Sequence, residues 1–276
     1  MEVFAVLKWA LLACLILPWL LVYLGLHIVQ RQIIFVDLAL AQVAALGTCF
    51  ALLIGYDPHD WQSYALSVGF TLVGAFIFTM TRSKNHRVPQ EALIGIVYVV
   101  AAAAGILVLS KSAGGKEELQ RSLVGELLFV APQEIWQTFL LYVVIGVIHF
   151  VFRKKFLALS FEHAQGTVTG FSARCWDFLF YALFGLVVTS FVHIGGVLLV
   201  FSYLIVPAVC ANYLADSLRA RMIIGWVTAT LASMASLLVT AKVDLPIGAA
   251  VVCGLGLVLL VTIVVAHFRG DPAARH

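Results

Sequence analysis

Asp37 is the residue in this chain whose type and placement most invite chemistry. It lies in IIFVDLALAQVAALG, an otherwise apolar run, with Gln42 five residues later. An ionisable group at helix depth costs about 2.5–3.5 kcal/mol to insert into lipid. Such a group therefore faces the interior of a bundle, where it either lines a pathway or pairs with a neighbouring helix. Counted along a helix from Arg31, Asp37 lies about 9 Å in and Gln42 about 16 Å in, near the midplane. A carboxylate there can hold a passing cation, so Asp37 is the expected metal-contacting residue, with Gln42 offering a weaker carbonyl oxygen. Five residues is about 140° around a regular helix, so the two cannot share one ion unless the helix is bulged or unwound.

His193 is the other expected pathway residue. It precedes Gly195-Gly196 and belongs near the outer end of its span. His27 and His149 fall at or near helix ends, where a packed neutral or snorkelling imidazole is the ordinary reading. Asp57, His59 and Asp60 cluster in GYDPHDW, a set that suits a divalent cation and equally a solvated turn. Asp244 sits in a turn before Pro246, which starts the last helix. The cysteines, at 14, 49, 175, 210 and 253, show no paired spacing and read as small buried hydrophobes. The pattern GxxxxGK[ST] is absent, as are HExxH and GxSxG. The chain is thus expected to be a transport subunit without its own ATPase site and with no bound cofactor. Its energy must come from an ion gradient or a separate ATPase.

The elements that position these residues are membrane helices. Hydrophobic residues make up 63% of the 276 and charged residues only 11%, with a mean hydropathy of +1.05. No soluble domain of this length buries that much apolar surface, whereas in a bilayer such helices face hydrocarbon at no cost. The expectation is an all-α polytopic bundle, residues 1–276 forming a single transmembrane domain surrounded by membrane lipid. About nine spans are predicted: 9–29, 33–56, 62–81, 90–110, 134–152, 175–193, 196–215, 222–241 and 247–267. The first is long enough to cross and lacks a small-residue cleavage site. The net charge of +3 is small, which argues against nucleic acid as a partner.

Basic residues set the orientation. Arg31, the group Arg82, Lys84 and Arg87, the run Arg153 to Lys155 with Arg174, then Arg219, Arg221, Arg269 and Arg275 share one side. Lys111, Lys116, Arg121 and Lys242 fall opposite. The richer side is expected to be cytoplasmic, with the N-terminus outside and the C-terminus inside. Residues 111–133 hold a short apolar run, LVGELLFV, interrupted by Glu126, which reads as an external amphipathic or re-entrant piece. Residues 156–173 form the longest inner connection and carry Glu162 and His163. A short helix along the inner surface fits them, either as a docking site for a soluble partner or as an interfacial loop.

Taken in order, several stretches resemble the membrane permease of bacterial zinc/manganese ABC importers. HIVQRQIIFVDLALAQVAALG resembles that family's arginine-anchored helix, EALIGIVYVVAAAAGILVLSK its fourth span and LVGELLFVAPQEIW its outer segment. SFEHAQGTVTG resembles the inner loop, IGGVLLVFSYLIVPAVCANYLA the Pro-containing span and DLPIGAAVVC the start of the last helix. The resemblance implies an inner-membrane permease for zinc, manganese or iron that pairs with a second copy of itself. It further implies docking of two cytoplasmic ATPase subunits that use the ATP, and delivery of metal by an extracytoplasmic metal-binding protein. Ser160, Phe161, Glu162, His163 and Gly166 would then be the ATPase-coupling residues. This chain departs from the family pattern at one point. Gln42 stands where that family has a histidine, and the carboxylate falls one position early. A different ligand set, a different metal, a transient pathway with no tight site, or a non-metal small substrate are the readings this departure keeps open. An ion-coupled secondary transporter using Asp37 as its protonatable group is a separate alternative.

Overall fold

In hydrocarbon every backbone N–H and C=O must be satisfied within its own segment, which leaves long apolar runs no choice but helix. The computed structural model follows that rule, with helix as the only regular structure among the described residues. These are residues 2–58, 60–81, 89–110, 123–125, 127, 130–161, 171–243 and 245–268. The long helices are α1 (Glu2–Arg31), α2 (Val36–Leu53), α3 (Trp61–Thr81), α4 (Gln90–Leu109) and α5 (Pro132–Val151). After the short α6 (Arg153–Ser160) come α7 (Phe171–Leu214), α8 (Leu218–Val243) and α9 (Ile247–Phe268).

The longest element, α7, is two crossings. Gly196 has φ 73° and ψ 167°, outside any helical conformation. The rings of Phe191 and Tyr203 lie 5.9 Å apart, although twelve residues of continuous helix would separate them by about 18 Å. The chain folds back at Gly196, and the two arms run antiparallel. Phe180 of the first arm packs near His27 of α1. Leu204 of the second arm presses its carbonyl against Gly25 on the same helix. The hairpin accounts for two of the expected spans, so among the described residues eight long apolar helices make nine crossings.

This hairpin is the centre of the bundle. Of its apolar window 78% is buried, against 22% for α4 and for α9. Helices α1, α2, α3, α8 and α9 all pack on it; α2 also holds α3 and α4, while α8 also packs on α1 and α9. Peripheral helices turn Leu107, Leu140, Phe150 and Leu257 outward, as lipid-facing surfaces do. Trp61 and Trp136 stand exposed at the starts of α3 and α5, the headgroup level at which tryptophan is favoured.

Contacts sort the helix ends into two sets. Arg31, Ser160 and Asp177 meet at one end, where Gln90 also reaches Phe78 and Tyr181. Thr48, Tyr64, Ser190 and His193 meet at the other. The first set carries the Arg- and Lys-rich connections, which makes it cytoplasmic by the positive-inside rule.

Several local expectations change. Helix α2 starts at Val36, not at residue 33, because the chain turns through Gln32 at φ 57°. A hydropathy pattern cannot register such a turn within an apolar run. Arg153 to Lys155, expected in a loop, are helical in α6. Cys175 and Cys253 are exposed rather than buried. Of the external segment, Leu127 and Val130 are buried in the main core. Its Gly125, at φ 71°, abuts the Gly195–Gly196 turn so closely that a Cβ on either Gly125 or Gly196 would strike the other's backbone. Glu162, His163 and Gly166, with His59, Glu126 and Asp244, lie outside the described residues.

Candidate functional site

The outer ends of α2, α3, α5 and the first α7 arm surround a cavity of about 520 Å³. His193 stands on its wall, exposed between buried Val192 and Ile194. The helix presents it, since its Nδ1 lies 2.8 Å from the Thr189 carbonyl one turn back. A carbonyl only accepts, so Nδ1 carries the hydrogen. In the neutral ring the lone pair therefore sits on Nε2, 3.5 Å from the Thr48 hydroxyl. A backbone carbonyl fixing the tautomer in this way is how proteins prepare an imidazole to bind a cation.

The rest of the wall carries oxygen. Asp60 comes from the turn before α3, and Glu134 and Gln137 from the first turns of α5. One oxygen of Asp60 accepts the Asp57 N–H at 3.1 Å, and one of Glu134 accepts the Ala131 N–H at 3.0 Å. Tyr64 shares a 2.8 Å hydroxyl bond with Ser190. Below the cavity a polar seam continues between α3 and α7, where Thr71 meets Thr189 at 2.8 Å. Gly47 lets α2 approach α3 there, since a Cβ on it would fall 2.7 Å from Ser67 Cα. Among the described residues, no three His, Cys, Asp or Glu side chains are placed to grip one ion together.

Asp37 and Gln42 stand elsewhere. Asp37 is fully buried in the first turn of α2, where Oδ1 accepts the Leu38 N–H at 2.8 Å. Helix starts carry unpaired N–H groups and a partial positive charge, which favour a carboxylate. Its Oδ2 is buried with no hydrogen-bond partner among the described residues. Gln42 is buried on the same uninterrupted helix, so the pair point about 140° apart. Thr48, beside His193, is eleven residues beyond Asp37, or about 16 Å along the axis. Asp37, Gln42 and His193 thus occupy three separate levels.

At the cytoplasmic end Ser160 and Phe161 join a cluster with α1 and α7. Ser160 closes α6, and its hydroxyl lies 2.8 Å from His27 Nδ1 and accepts from Arg31 Nε at 2.8 Å. Arg31 also meets Asp177 at 3.2 Å and lies 3.8 Å over the Phe180 ring. Phe161 packs edge-on to His27. Asp177 and Glu134 were not singled out in the sequence. Each lies near a helix start, where an acid is commonplace, although Asp177 in ARCWDFLF interrupts an apolar run much as Asp37 does.

Comparison with known proteins decides the family. The profile of the ABC 3 transport family matches residues 3–266. The chain belongs to that family. It is a multi-pass inner-membrane protein, a permease-type transport subunit. Among its relatives is the manganese import system permease protein ScaB of Streptococcus parasanguinis, 24% identical over 258 residues, 87% of this chain and 91% of that protein. The manganese transport system membrane protein MntC of Halalkalibacterium halodurans is 23% identical over 249 residues, 90% of this chain and 83% of that one. The fold matches PsaBC from Streptococcus pneumoniae, solved in complex with Fab, at a TM-score of 0.80 and 22% identity. That match covers 99% of this chain and 94% of the other.

Proposed function

We infer that this chain is the permease of an importer for a divalent metal cation, driven by a separate cytoplasmic ATPase that uses the ATP. The observation that carries this reading is the outer cavity, where an imidazole with a fixed tautomer shares a wall with two carboxylates and an amide. An oxygen-rich set with a single imidazole suits a harder ion such as manganese better than zinc, and several family relatives are named for manganese transport. An extracytoplasmic binding protein would release the ion at this mouth. Asp37 would meet it further in, from the N-terminal turn of α2, with Gln42 between. The cytoplasmic segment beginning at Ser160 and Phe161 would dock the ATPase, and a second copy of the chain would complete the pathway.

The test is uptake of radiolabelled manganese, iron and zinc into proteoliposomes holding the permease and its ATPase. Uptake that requires internal ATP hydrolysis and favours manganese supports the reading. Uptake driven by an ion gradient alone points to a secondary transporter and overturns it. ATP-driven movement of a non-metal solute with no metal uptake overturns the choice of substrate.

A further inference from the structure

Ser160 is the last residue of α6, and the inner segment begins immediately beyond it. Its hydroxyl is gripped by two side chains of one helix, His27 and Arg31 of α1. Arg31 is gripped in turn by the first α7 arm through the carboxylate of Asp177 and the face of Phe180. All four polar groups are buried, the side chains of Arg31 and Asp177 being 5% and 3% exposed. A buried charge-assisted bond holds its geometry more firmly than a surface pair. A shift of Ser160 is therefore not absorbed by local side-chain motion and has to move α1 or α7.

The α7 arm leads straight to the outer cavity. Residues 177 to 193 are uninterrupted helix, so Asp177 and His193 are the two ends of a rod about 24 Å long. A chain of packed and hydrogen-bonded groups of this kind is the physical requirement for coupling two distant sites. We propose that Arg31 is a positioning residue for energy coupling, which ties the cytoplasmic segment at Ser160 to the helix presenting His193. The proposal rests on the reading of this chain as an ATPase-driven permease, and names the joint through which that drive reaches the outer cavity.

The experiment measures manganese uptake and ATP hydrolysis together in proteoliposomes of the permease with its ATPase. Ser160→Ala removes the hydroxyl, Asp177→Asn weakens the grip on Arg31, and Ser160→Thr keeps a hydroxyl. The expected result is that ions moved per ATP hydrolysed fall about tenfold in Ser160→Ala and Asp177→Asn and recover in Ser160→Thr. If Asp177→Asn lowers the yield of folded protein, Ser160→Ala with its threonine partner decides alone. An unchanged ratio in Ser160→Ala overturns the proposal. So does a parallel loss of uptake and hydrolysis at constant ratio, because that marks a merely structural bond. A parent protein whose uptake ignores ATP overturns the functional reading itself, which separates that failure from failure of the joint.

Discussion

His193 and Asp37 are held in different ways, and their replacements should differ accordingly. His193 is exposed to the outer cavity, where it meets the Thr189 carbonyl, Thr48 and the Tyr64 ring, so His193→Ala should remove the proposed ligand without opening the core. Manganese uptake should fall about 10- to 100-fold, the usual cost of disturbing a metal-binding residue, while expression stays at the parent level. Asp37→Asn keeps the shape and the bond to Leu38 but removes the charge, and it should lower uptake far more than the amount of folded protein. Transport like the parent's would leave Asp37 as a helix-start residue alone. Asp37 was legible in the sequence because an acid inside an apolar run is costly wherever the chain folds. The pairing of Arg31 with Asp177 was not, since it joins residues 146 positions apart and no local pattern encodes it. Glu134 was hidden for another reason, as Pro132 and Glu134 look like an ordinary helix start.

Among the elements, the α7 hairpin depends most on a single backbone position. At φ 73° and ψ 167° Gly196 occupies a conformation essentially confined to glycine, costing an L-residue roughly 1–3 kcal/mol, and a Cβ there would also collide with the backbone of Gly125. Gly196→Ala should therefore lower the thermal unfolding midpoint in detergent by several degrees, whereas Gly256→Ala, with open space around it, should leave it unchanged. Fluorescence of the purified protein on heating reads both. At the cytoplasmic end, replacing Phe161 and Glu162 together should abolish uptake while the protein still inserts, as co-purification of the ATPase and flux assays would report. The two arms of the hairpin were legible as separate apolar runs broken by Gly195-Gly196. That one residue makes the turn, and that the external segment caps it, comes from backbone approach, which side-chain patterns do not carry. The start of α2 was misread for a related reason: residues 33 to 35 are as apolar as the helix they precede.

For the molecule as a whole, the division between a buried centre and lipid-facing periphery follows composition closely. All nine crossings were countable from length and hydropathy. Which helix takes the centre was not, because α4 and α9 are no less apolar than α7, and in lipid apolarity does not rank burial. A second copy of the chain is the expected partner within the membrane. Native mass spectrometry of the assembled importer should give two permeases and two ATPases, and a permease that transports as a single copy would exclude the pairing. The tight turn at Gly196 also bears on how the protein is made. An arm joined to its partner by one non-helical residue has no loop on which to wait, so the two arms should enter the bilayer together. Synthesis arrested after residue 195 should leave the first arm with its inward side bare, a species open to quality-control proteases. Once residue 214 has been added and released, both arms can enter as one unit, and that vulnerability should close abruptly.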